Sequence, residues 1–342
     1  MKTCAALGLL LLAGACATDN IVPMIVPAAI ETPGMGATGD AADDPAVWVH
    51  PTDASKSLIL GTNKDAGVYV YGIDGSEKQK LLVGLANNVD LRGNLAVASN
   101  DGVNALSWFR IDPTNSLVSH VGDTKLATVE PYGVCIGMMQ GMLHAVVTYK
   151  TGLVEFWQVT DTGAGPVQLS NLRTIQLGSQ LEGCVVDDEA GRLFIGEENV
   201  GLWVVNVLTE DMTPTSIDTV NSGTGLVADV EGVSLYVGKD GAGYLVVSAQ
   251  SKDRYIVYDR KPPHGLMGVI GVGASVDGKI DAVTHTDGLD VSSAPLPGFP
   301  AGVLVVQDDG NPVSEMDQNF KIVDWREVEK ALAAAKAAAA GQ

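Results

Sequence analysis

Between Asp43 and Trp325 the chain alternates short apolar runs with clusters of Gly, Asp, Asn and Pro. AVWVH, LILGT, VYVYGI, LAVAS, LSWFRI, LHAVVTY, VEFWQV, RLFIG, LWVVNV, VSLYVG, YLVVSA, YIVYD and VLVVQ are rich in β-branched and aromatic residues and bounded by turn formers, so each predicts a strand. No stretch before the C-terminal tail carries a helical period. The expected fold class is therefore all-β.

The architecture repeats although the sequence does not. Asp44, Asn88, Tyr132, Glu182, Glu231 and Asp287 each head an apolar strand, at separations of 44, 44, 50, 49 and 56 residues. A second polar series follows one strand later: Asn63-Lys64, Asn100-Asp101, Tyr149-Lys150, Glu197-Glu198, Gln250 and Gln307-Asp308. Third strands such as GVYVYGI, LVEFWQV, GLWVVNV and RYIVYDR close most units. Units of this length with several strands each predict the blades of a six-bladed β-propeller. The residues heading its inner strands would converge on one face.

That convergence gives the charge a meaning. The 342 residues carry 21 basic and 41 acidic side chains, a formal net charge of −20. Such a balance excludes an ordinary nucleic-acid binder, which needs a basic footprint. Asp43, Asp44, Glu182, Glu198, Asp229, Glu231, Asp281 and Asp287 could share one face only with cations between them or with several carboxyls protonated. Oxygen ligands without clustered His or Cys select hard cations, and many ligands in an exported chain point to several calcium ions. Lys64, Lys150 and Tyr132 fall in the same positional series. Ammonium groups beside such cations make a site for a highly charged anion, and a phosphate ester fits it.

The ends suggest location rather than chemistry. Residues 1–16 have a basic start at Lys2, a short apolar core from Leu7 to Leu12 and Ala13-Gly14-Ala15 before Cys16. This reads as an export signal, with Cys16 expected to carry a lipid anchor and ordinary signal cleavage as the alternative. The protein is expected outside the cytoplasm, as an outer-membrane lipoprotein or in a periplasmic or extracellular form. Residues 17–42 read as a Pro- and Gly-rich tether, 43–325 as the folded body and 326–342 as an Ala-rich helix or tail. Cys135 and Cys184 each sit in an apolar run. An oxidising compartment permits a disulfide between them, but two buried thiols are the expectation.

The motifs DDPAVWVHP from Asp43, GTNKDAGVYVY from Gly61, NNVDLR from Asn87, EPYGVC from Glu130, QLEGCVVDDEAGRLFIGEE from Gln180, ADVEGVSLY from Ala228, HTDGLDV from His285 and NFKIVDW from Asn319 resemble, in order, those of the β-propeller phytases. The resemblance spans nearly all of residues 43–325. It implies a calcium-filled channel mouth that hydrolyses phytate and its calcium complexes, one site cleaving and a neighbour gripping a second phosphate; the expected mechanism is direct attack on phosphorus by metal-activated water. By motif, Asp43, Asp44, Tyr132, Glu182, Glu198, Asp229, Glu231 and Asp281 would ligate or orient calcium, and Gln250 would line the mouth. Lys64 and Lys150 would hold phosphate, and Lys64, Tyr132, Glu182 and Glu198 would carry the catalysis. The expected partner is this small-molecule substrate, with no nucleic acid, no membrane contact beyond a Cys16 anchor, and a monomeric protein.

Two departures stand out. Where the family strand usually ends Ala-Ser-Asn-Arg, this chain reads Ala98-Ser99-Asn100-Asp101, and Thr151 follows Lys150 where an acid is common. Loss of the arginine leaves open a family member that binds inositol phosphates with weak or no turnover. A calcium-dependent lactone hydrolase is the other alternative.

Overall fold

The computed structural model describes residues 21–36, 39–311 and 318–340. Residues 1–16 and Cys16 lie outside these. Six sheets stand around a central channel, each built on four antiparallel strands ordered outward from the channel. Blade 1 comprises the strands Ala42–Trp48, Leu58–Asn63, Gly67–Gly72 and Glu77–Leu82, and blade 2 Ala86–Arg92, Leu95–Asn100, Ala105–Asp112 and Leu117–Lys125. Blades 3 and 4 begin with Gly133–Met139 and Leu181–Asp187, blade 5 with Val230–Val237 and blade 6 with Leu289–Ser292.

Propeller blades are two-faced sheets, so both faces must bury apolar side chains against neighbours. Accordingly the core consists of six clusters, each shared by two adjacent blades. Trp48, Leu60, Val89 and Phe109 join blades 1 and 2, while Val47, Ile59, Val305 and Phe320 join blades 1 and 6.

Polar staples repeat around the channel. The inner-strand carboxylates of Asp290, Asp44 and Asp90 accept the backbone N–H of Val47, Val89 and Ile136 in the next blade, at 2.8, 3.1 and 2.8 Å. Hydroxyls at the ends of second strands do the same for carbonyls: Thr148 donates to Glu182 at 2.7 Å and Ser248 to Asp287 at 2.8 Å. Backbone groups that blade packing would otherwise bury unpaired are thereby satisfied. The channel itself is a cavity of about 520 Å³ whose lining includes Asp44, Asp90, Arg92, Asp188 and Asp290.

Two expectations need correction. Cys135 and Cys184 form a disulfide, with Cα atoms 5.7 Å apart, that joins the inner strands of blades 3 and 4. The tether is in part woven into the ring. Met24–Pro27 adds a parallel fifth strand to blade 5 beside Leu266–Gly273. Ile30–Glu31 supplies the outermost strand of blade 6, antiparallel to Asn319–Asp324. The following residues continue inward, where Gln318 Oε1 accepts from the N–H groups of Ala41 and Ala42 at 2.5 and 2.6 Å. Trp325–Ala340 forms a helix, and Trp325 stacks on Tyr236 of blade 5 with ring centres 4.2 Å apart.

Candidate active site

The strand register defines which residues are equivalent. The inner strands of blades 1, 2, 4 and 5 slip register at Ala42/Pro45, Ala86/Val89, Leu181/Cys184 and Val230/Val233. Two residues bulge out at each place, and bulges re-aim side chains. The first bulged residues are Asp43, Asn87, Glu182 and Glu231. In blades 3 and 6, Tyr132 and Asp287 hold the same place, since Val134 pairs with Val147 and Leu289 with Val306 just beyond them.

In four blades the second bulged position is glycine: Gly133, Gly183, Gly232 and Gly288. A Cβ on Gly183 would stand 2.1 Å from the carbonyl oxygen of Glu231, and one on Gly133 2.0 Å from that of Glu182. The neighbouring inner strand passes too close for any side chain. Blades 1 and 2 place Asp44 and Asn88 there instead. The inner ring is therefore Asp43, Asn87, Tyr132, Glu182, Glu231 and Asp287, and the series read from sequence is offset by one in the first two blades. Asp44 turns into the channel, toward Val89.

A second ring follows the ends of the second strands: Lys64, Asp101, Lys150, Glu198, Gln250 and Asp309. The inner ring holds one carboxylate triplet, and the two rings meet in a second. Asp43, Glu182 and Asp287 each offer an oxygen within 4.8 Å of the others, as do Glu182, Glu198 and Glu231. Glu182 belongs to both. All five are buried. Both oxygens of Asp43, Oε1 of Glu198 and Oε2 of Glu231 are buried without a hydrogen-bond partner.

Burial and mutual repulsion raise the carboxyls of Asp43, Glu198, Glu231 and Asp287. Asp43 and Glu231 are held well above the ordinary range, first by burial and then by neighbouring charges. Glu198 is pushed up to about 7 by burial and by Glu182, and Asp229 adds to the effect. Asp287 is pushed up to about 7, chiefly by burial. Burial also holds the Tyr132 phenol up, reinforced by Glu182, Asp43 and Glu231 around it, so it stays protonated.

Two lysines border the triplets. Lys64 Nζ lies 2.9 Å from Asp40, 3.1 Å from Asp287 and 3.5 Å from Asp43. Burial would lower its ammonium, but Asp43, Asp287 and Glu182 outweigh that and hold it above its usual value. Lys150 places its ammonium 4.2 Å over the Tyr132 ring. Gln250 Nε2 donates to Asp287 at 3.2 Å.

Other expected residues lie elsewhere. Asp281 sits outside both triplets, 2.8 Å from the fully buried Lys321, which also pairs with Asp308. Asp101 accepts from Asn87 Nδ2 at 3.3 Å, and its Oδ1 has no partner. Arg110 is engaged with Asp161 and the carbonyl of Gly165, so it does not fill the arginine position. Asp287 was legible as a strand head but was not among the ligands carried over by motif. Asp40 was missed because it stands in the segment read as tether.

The phytase family model matches residues 2–338 of the chain. The chain belongs to the phytase family. A 3-phytase of Bacillus subtilis (strain 168) is 34% identical over 328 residues, which cover 90% of this chain and 85% of that protein. Among solved structures, a functionally unknown protein from Desulfotomaculum acetoxidans DSM 771 is similar with a TM-score of 0.49 and 14% identity, over 68% of this chain and 72% of that one.

Proposed function

We propose that the protein is a calcium-dependent phosphomonoester hydrolase that removes phosphate from phytate without forming a phosphorylated enzyme. The observation that carries this reading is the pair of buried triplets sharing Glu182, in which Asp43, Glu198 and Glu231 have carboxylate oxygens without a hydrogen-bond partner, with Lys64 beside them. Orphaned buried carboxylates are costly unless a cation or protons occupy the space between them. An all-oxygen donor set fits calcium.

Asp43, Glu182 and Asp287 would hold one ion and Glu182, Glu198 and Glu231 another, with Asp229 beside Glu198. Bound calcium would supply positive charge to the phosphoryl oxygens and make water more acidic. Lys64 and Lys150 bind and orient the anionic ester. The protonated Tyr132 offers a hydrogen-bond donor between them.

Family membership and the 3-phytase relative support the substrate. The Cys135–Cys184 disulfide supports the export expected from residues 1–16, since such bonds persist in oxidising compartments. The test is phosphate release from phytate with calcium present and again after chelation. Release that chelation does not reduce, or phosphate lacking oxygen from labelled water, overturns the proposal.

A further inference from the structure

Lys64 has a supply problem that its neighbours define. An ammonium has three N–H donors, and three carboxylates surround this one: Asp40, Asp287 and Asp43, at 2.9, 3.1 and 3.5 Å. A phosphate oxygen can gain a hydrogen bond from Lys64 only if one of them gives way. They differ greatly in freedom to do so. The side chains of Asp43 and Asp287 are 0% and 7% exposed, whereas that of Asp40 is 70% exposed. Asp43 and Asp287 are fixed at the heads of inner strands and also face Glu182. Asp40 stands in a bend between Gly39 and the first strand of blade 1, and its one side-chain partner among the described residues is Lys64.

We infer that Asp40 is an intramolecular competitor at the phosphate-binding ammonium: its carboxylate occupies the position on Lys64 that a phosphate group must take, and thereby sets the apparent affinity for the substrate. This rests on the reading of Lys64 as a phosphate-binding residue. Displaced, the Asp40 side chain loses little, because an exposed carboxylate regains its hydration. Displacing Asp43 or Asp287 would strand a buried charge. Asp40 is thus a specificity-setting residue that touches the ammonium and not the reacting atoms. It favours ligands carrying enough negative charge to outcompete a carboxylate, such as vicinal phosphates, over weakly charged monoesters.

The test uses the full-length Asp40→Asn and Lys64→Gln variants. KM and kcat are measured for phytate and for a simple aryl phosphate at fixed calcium, together with inhibition by inorganic phosphate and calcium affinity by titration. For Asp40→Asn the expected result is a KM lower by roughly threefold to tenfold, the range of about one exposed charge-assisted contact. The kcat and calcium affinity should be unchanged, phosphate inhibition tighter, and the gain larger for the aryl phosphate. Asp40→Ser should give the same direction.

A higher KM with weakened calcium binding would make Asp40 a cation ligand and overturn the inference. An unchanged KM in Asp40→Asn, with a raised KM in Lys64→Gln, would overturn it while leaving Lys64 in its role. If Lys64→Gln leaves both KM and phosphate inhibition intact, the reading of Lys64 fails and the inference falls with it.

Discussion

Asp43 of blade 1 and Glu182 of blade 4 bring carboxylate oxygens within 4.8 Å of each other across the mouth of the channel. Both side chains are buried, so their repulsion is little screened. Replacing Glu182 by Gln should have two opposite effects. Phosphate release should fall by at least ~100-fold, the upper end of what losing a mere supporter of a metal ligand costs. Thermal stability in chelator should rise, because one of the mutually repelling charges is gone. Calorimetry with and without calcium, beside the activity assay, checks both arms.

Stability without calcium should depend on pH with a definite sign. Glu198 and Asp287 titrate at about 7 in the folded protein, both raised first by burial, from ordinary values of 4.5 and 3.8. The folded state then holds protons that the unfolded chain has released. Their stabilising contribution is complete below the ordinary values and is lost as the pH rises through about 7. Melting temperatures in chelator should drop between pH 5 and pH 8, taken as roughly that window. Calcium should restore them most at the upper end. A flat profile in chelator would contradict the arrangement.

The disulfide joins strands that carry Tyr132 and Glu182 at their heads, with a sequence separation of 49 residues. Replacing Cys135 and Cys184 together by Ser, or reducing the bond, should cost about 2–4 kcal/mol in stability. Chemical denaturation of the oxidised and reduced protein measures it. A smaller loss of calcium affinity should accompany the change.

Asp101 occupies, in the second ring, the blade between those of Lys64 and Lys150. Substitution by Arg replaces a repelling carboxylate with a donor for phosphate. The expected outcome is a KM for phytate lower by about tenfold, the scale of one charge-assisted hydrogen bond. Steady-state kinetics decide this, and an unchanged KM would place the second phosphate away from blade 2.

Lys321 is fully buried between Asp281 and Asp308. Lys321→Met should cost about 3–5 kcal/mol, because it leaves the buried Asp308, with the part-buried Asp281 beside it, without a counter-ion. The melting temperature reports it directly. Added calcium should recover part of the loss if the freed carboxylates accept an ion.

Much of this was legible in the chain because a propeller repeats its local chemistry. Strand heads and second-strand ends recur once per blade, so Glu182, Glu231, Lys64 and Glu198 could be aligned without any structure. The register failed where the local signal was absent: blades 1 and 2 lack the glycine that marks the close approach of inner strands. Asp44 was therefore aligned in place of Asp43. The disulfide was hidden for a different reason, since apolar strands suit a buried thiol as well as a cystine. Its separation of 49 residues, one blade period, was the available clue. The edge strands at Met24–Pro27 and Ile30–Glu31 are short and Pro-flanked, and their partners lie near the far end of the chain. Nothing local distinguishes them from a linker.

Those edge strands impose an order on assembly. Blade 6 takes its outermost strand from the first residues described and its other three from the last blade of the chain. Five blades can stack as they emerge, yet the ring latches only when Ile30 meets Ile322. Until then, two sheet edges stay open, and exposed edges invite pairing with other chains. A shortened chain beginning at Asp43, where the recognisable motifs start, would keep every ligand and lose the latch. Such a chain should aggregate rather than simply lose its tether.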